Sequence, residues 1–222
     1  MITLSKRLLS LILFGLFMAA CSGTKTTGSW SDQSYKGKIK NVYIIGIAKK
    51  DINRMIFENS FESRLASEGI KAIASYTDLL STNQEVDRED IIQRMRNNNC
   101  DSVLLTRLVG QKTKGSLSGG RGTYNYTPMS SPVGPTSQRL PKGQLSYYNN
   151  WGTYYNYGKV NYVQPSSLDN VILTVESVLY DLQTEELIWS AQLETRLEGN
   201  IENMMRIFVD EVAKDLKKKG LI

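Results

Sequence analysis

Apolar residues fall in two rhythms along this chain. Residues 41–48, NVYIIGIA, form a short β-rich run that reads as a buried strand. Asp51 can cap a helix that continues to about Gly69, with Ile52 and Ile56 on one stripe and Phe57, Phe61 and Leu65 on an adjoining one. On that helix Arg54 and Glu58 are spaced for a surface ion pair, and Gly69 suits the stop. IKAIASY (70–76) alternates as a second strand, residues 88–97 repeat as a helix, and DSVLLTRLVG (101–110) reads as a third strand. From 168 the period is two again. Val171, Leu173 and Val175 share one face, and Thr174 and Glu176 take the other, the pattern of a half-solvated strand. After the turn DLQTEE, Leu187, Trp189, Ala191, Leu193 and Leu197 line one face of a partner strand, so the two segments predict an antiparallel hairpin. Ile201, Met205, Phe208, Val212 and Leu216 then recur at helical spacing to about 219, where a basic end suits the helix dipole. Two βα units, a hairpin and a closing helix predict an α/β class: a mixed β-sheet of about five strands covered by about three helices.

Between the third strand and the hairpin, residues 111–165 break both rhythms. All five prolines lie there, with Tyr124, Tyr126, Tyr147, Tyr148, Trp151, Tyr154, Tyr155, Tyr157 and Tyr162 set among Gly, Ser, Asn and Thr. Loops of this length inside a domain are functional or disordered, and three readings are open. One is a mobile low-complexity insertion. Another is a contact surface in which Tyr147, Tyr148, Trp151, Tyr154, Tyr155 and Tyr157 offer large area with a polar handle at low entropy cost. Its partner would be an envelope protein, a second copy, or a glycan such as peptidoglycan. The third is a membrane-inserting hairpin, which this aliphatic-poor segment fits least well.

The amino terminus has a different logic. Lys6 and Arg7 precede an apolar stretch from Leu8 to Met18, shorter than the roughly 20 residues of a membrane span. Small residues Ala19 and Ala20 then lead to Cys21. That order is the secretory signal pattern. Met18-Ala19-Ala20-Cys21 resembles the bacterial lipoprotein lipobox, with Met18 in place of the usual leucine. The resemblance implies that the Cys21 thiol is alkylated by a diacylglyceryl group, that residues 1–20 are removed as a signal peptide, and that the new amino group is acylated. Several long chains make such an anchor effectively permanent. Ser22, where an aspartate tends to retain such proteins at the inner membrane, implies delivery to the outer membrane, facing the periplasm. Residues 21–29 are then the lipidated terminus and a flexible tether rich in Ser, Gly and Thr, and 30–222 the periplasmic domain.

Composition narrows the function classes. The formal net charge of +5 falls to +3 without Lys6 and Arg7, and no basic stripe interleaves with aromatics, so nucleic acid is an unsupported partner. The chain has no histidine, the commonest general base and metal ligand. GQKTKGS (110–116) has the two-glycine spacing of a phosphate loop but Ser116 where lysine belongs. Glu89-Asp90 and Glu185-Glu186 lie at a helix start and a turn, and read as solvated charges. Cys100, between a helix and a strand, reads as a packed residue with no base to activate it. The expectation is a protein without catalytic residues, cofactor or metal.

WSDQSYKGKIKNVYIIGI (30–47), the helix with Arg54 and Glu58, DSVLLTRLV and LYDLQTEELIWSA together resemble a family of small, uncharacterised bacterial lipoproteins. Their fold is like that of the curli-export lipoprotein family and the amino-terminal domain of the Tol-system propeller protein. The resemblance covers most of 30–219 outside the long insertion. It implies an α/β domain used for protein contacts at the cell envelope, and no catalytic residues.

Overall fold

The computed structural model describes residues 23–79, 87–113, 148–160, 171–196 and 201–222. The expected signal segment, Cys21, Tyr147 and most of the insertion lie outside the described residues. The fold is mixed α/β, with β1 (Thr24–Ser31), β2 (Asn41–Ile47), α1 (Asp51–Ala66), β3 (Lys71–Ala74), α2 (Arg88–Asn97), β4 (Ser102–Thr113), α3 (Trp151–Val160), β5 (Val171–Asp181), β6 (Leu187–Arg196) and α4 (Ile201–Lys218). The six strands form one sheet in the order β1-β6-β5-β4-β2-β3. β3, β2 and β4 are parallel, as βα units require, whereas β4, β5, β6 and β1 pair antiparallel.

Side chains alternate across this sheet, and helices cover both faces. On one face Val42, Ile44, Leu104 and Leu179 meet Phe57, Phe61 and Leu65 of α1 and Phe208, Val212 and Leu216 of α4. On the other Tyr43, Ile45, Val103, Leu105, Val178 and Tyr180 meet Ile91 and Met95 of α2 and Trp151, Tyr154 and Tyr155 of α3. The strand runs are apolar at nearly every position because both faces are covered. α1 lies close to β2 where Gly46 replaces a side chain, since a Cβ there would stand 3.0 Å from Phe57 Cδ1. Gly69, at φ 81°, turns the chain out of α1 into β3.

The expected strands, helices and hairpin are all present, with one strand and one helix more. The added strand is β1. A tether was expected over residues 22–29, but from Thr24 on the backbone pairs with β6, Thr24 opposite Thr195 and Ser31 opposite Trp189. Polar side chains suit a sheet edge as well as a coil, because an edge strand is held by backbone hydrogen bonds. The added helix is α3, inside the expected insertion. Three smaller expectations change. Asp51 is the first residue of α1 rather than its cap. Ile52 is 57% exposed, so the sheet-facing stripe is Arg54, Phe57, Glu58, Phe61 and Leu65. Glu176 was expected half-solvated and is 1% exposed. Among the described residues no helix is long and apolar enough to cross a membrane.

Candidate functional site

Four of the six aromatics named as contact candidates lie inside the protein. Trp151, Tyr154, Tyr155 and Gly158 fall at i, i+3, i+4 and i+7, which gives α3 a single face of aromatic and small residues turned onto the sheet. Tyr148, just before the helix, is buried with them. Gly152 and Gly158 let the helix approach: added Cβ atoms would lie 2.9 Å from Arg88 Cδ and 2.8 Å from Ile47 Cδ1. Tyr157 is half-buried, with Arg107 5.2 Å from its ring centre. The tyrosine handles point inward. Tyr148 donates to Glu176 Oε1 at 2.6 Å, and Tyr154 donates to Oε2 at 2.8 Å. Arg107 donates through Nη2 to Glu176 at 3.1 Å and through Nε to the Tyr154 oxygen at 2.9 Å. Arg107 and Glu176 face each other across β4 and β5. Burial opposes the Arg107 charge, but Tyr154 and Glu176 outweigh it and raise its pKa. Burial, and after it the Glu176 carboxylate, holds the Tyr154 hydroxyl well above its ordinary value. The cluster is an internal lock that seats α3, because each buried charge meets a charge or a hydroxyl.

A second buried cluster sits beneath α1. Arg54 and Glu58, the expected surface pair, are both fully buried, with Nε to Oε1 at 2.9 Å. Glu58 also accepts from the Gly46 and Tyr76 N–H groups and from Ser75 Oγ, each at 2.8 Å. Arg54 donates through Nη2 to Ser75 Oγ at 2.7 Å. Burial raises the Glu58 carboxyl pKa against the pull of Arg54 and the Gly46 N–H. Arg54 and Glu58 stand on the stripe that carries Phe61 and Leu65, so their helical phase was the sequence signal for burial. Arg54 Nη1 and the Tyr155 hydroxyl are buried without a hydrogen-bond partner.

Where β4 and β5 run past the end of β2, an apolar cavity of about 150 Å³ opens between the sheet, the first turns of α1 and the first turns of α4. Leu108, Leu173, Val175, Met204, Met205 and Phe208 are among the residues of its wall. The Thr106 and Thr195 hydroxyls, also on the wall, are engaged with Ser177 and Thr24, each at 2.6 Å. No local periodicity signals this cavity, since it depends on unequal strand lengths.

The remaining candidates fall as follows. Cys100 is half-buried, and burial with the neighbouring Asp101 pushes its thiol up to about 12, so it is poorly nucleophilic. Glu89 and Asp90 lie in the first turn of α2, and Glu185 pairs with Arg88 at the hairpin turn. Among the described residues no cluster of three or more metal-binding side chains occurs.

No protein-family profile matches the chain, and no curated protein matches it. Solved structures do. The chain is similar to a PelC dodecamer from Paraburkholderia phytofirmans, at 9% identity and a TM-score of 0.41, over 87% of this chain and 96% of that one. A variant PelC dodecamer from the same organism has 10% identity and a TM-score of 0.40, over 85% and 93%. A PDZ domain protein from Parabacteroides distasonis has 13% identity and a TM-score of 0.38, over 84% of this chain and 33% of that one.

Proposed function

We propose that this chain is a non-enzymatic lipoprotein of the bacterial cell envelope, held at the outer membrane through Cys21 and presenting its α/β domain to the periplasm for protein contacts. The observation that carries the reading is Cys21 itself, placed after a basic, then apolar, then small-residue leader. Two features of the fold support it. β1 begins three residues after Cys21, so an anchor there holds the domain close to the membrane surface. The fully buried charged residues, Arg54 with Glu58 and Arg107 with Glu176, are spent on seating helices α1 and α3, which favours a structural use of them over a chemical one. A glycan-binding alternative has no exposed aromatic plane to offer at Trp151, Tyr154 or Tyr155. Self-association has candidate surfaces at the two edges of the sheet, β1 and β3, whose outer sides pair with no strand among the described residues.

The test is metabolic labelling with an alkyne fatty acid, followed by membrane fractionation. Label should enter the wild-type protein and cofractionate with the outer membrane, and Cys21→Ala should lose both. An unlabelled wild-type protein would refute the anchor.

A further inference from the structure

The cavity between the sheet and the first turns of α4 lies beside the place where the chain leaves Cys21. Thr195 lines it, and Thr195 holds Thr24 both by strand register and through its hydroxyl at 2.6 Å. Cys21 precedes Thr24 by three residues, so its Cα is no more than about 11 Å from that of Thr24. Acyl chains carried on the Cys21 sulfur and amino group therefore start within a short reach of the cavity wall.

The wall suits hydrocarbon. Thr106 and Thr195 spend their hydroxyls on Ser177 and Thr24. Arg107 turns its guanidinium to Glu176 and Tyr154, and Arg54 turns Nε and Nη2 to Glu58 and Ser75, with Nη1 left as its one nitrogen without a hydrogen-bond partner. Little polar surface is left for a polar occupant. Met204 and Met205 are unbranched and polarizable, able to reshape around an irregular chain. Apolar cavities of about 150 Å³ stay dry and admit a benzene-sized hydrocarbon, roughly six carbons. Leu108, Val175, Ile201 and Met205, with Ala48 and Asn53 on the α1 side, are half-buried, which places the mouth among them.

We propose that this cavity receives the end of one of the acyl chains carried on Cys21, an inference that rests on the acylation of that residue. The protein thereby shelters part of its own anchor in water.

A diazirine amino acid in place of Met205, in the full chain produced in acylating cells, tests this. The protein is purified without added phospholipid, weighed intact, illuminated and digested. An adduct joining the α4 peptide to an acyl chain of its own amino-terminal peptide is expected. It should fall several-fold when Leu173→Trp fills the cavity, and be missing when the diazirine stands at Lys217 instead. An acylated protein that gives no internal adduct, or adducts only to carried-over phospholipid or a second copy, overturns the pocket and leaves the anchor standing. An intact mass without acyl groups on Cys21 overturns the anchor, and the pocket with it.

Discussion

Glu58 accepts four hydrogen bonds in a place where neither it nor Arg54 meets water. Removing one member of such a pair strands the other charge, whereas replacing both with apolar residues removes two desolvation costs together. Glu58→Ala should therefore lower the unfolding free energy by about 3–5 kcal/mol in urea titrations. The double change Arg54→Met with Glu58→Leu should cost less than Glu58→Ala alone. The sign of the pH effect follows from the raised carboxyl pKa. The folded chain keeps this proton to higher pH than the unfolded chain, so the Glu58 contribution is fully present below the ordinary carboxylate value. It falls as pH rises through the raised one. Stability measured against pH should show that decline in the wild type and lose it in the double variant. Two neighbouring tyrosines make a sharper comparison. The Tyr154 hydroxyl binds Arg107 and Glu176, and the Tyr155 hydroxyl is buried without a partner. Tyr154→Phe should cost about 1–3 kcal/mol, and Tyr155→Phe should be near neutral or stabilising, by the same urea titrations.

Among the elements, α3 depends most on small residues. Ile47 Cδ1 and Arg107 Cδ would lie 2.8 and 3.2 Å from a Cβ at Gly158, so a larger side chain must push those side chains aside or lift the end of the helix from the sheet. Gly158→Val should cost about 1–3 kcal/mol or more through overpacking. It should also raise amide hydrogen exchange across 151–160 while leaving α1 and α4 protected. Equal loss of protection in all three helices would show that α3 is not a separately seated element. By contrast α4 is tied through Asp215, which accepts from Ser29 of β1 and from the Trp189 indole of β6. The helix that closes the first face thus also holds the edge strand nearest the proposed anchor.

For the whole molecule, β1 and α4 set an orientation. α4 starts beside Leu173 and Val175 and ends beyond Ser29 and Trp189, so it runs from the Thr24 end of the sheet toward the Ser31 end. Eighteen helical residues span about 27 Å. A membrane anchor at Cys21 therefore puts Lys25 near the bilayer and Lys217 away from it. With the acylated protein on vesicles, a fluorophore at Lys25 should be quenched by nitroxide lipids and one at Lys217 should not. Equal quenching at both sites would mean that the domain lies flat.

The chain on its own determined the α/β class, the βα units, the hairpin and the closing helix. Those follow from local periodicity, which a strand or helix imposes on whatever covers it. The proposal of an anchor at Cys21 also rests on the chain alone, since the pattern that suggests it is contiguous. Burial of the charged and aromatic side chains was decided by tertiary structure alone. Arg54, Glu58 and Glu176 read as solvated because charge is usually exposed, and became interior because α1 turns the first two onto the sheet and α3 covers the third. Tyr148, Trp151, Tyr154 and Tyr155 read as part of an insertion that was mobile, a contact surface or membrane-inserting, because glycine and asparagine surround them. They became core because those glycines let α3 lie close on a sheet face that no other described helix covers at that end. β1 was legible only as polar coil, because an edge strand is selected by the backbone of its neighbour and not by its own side chains.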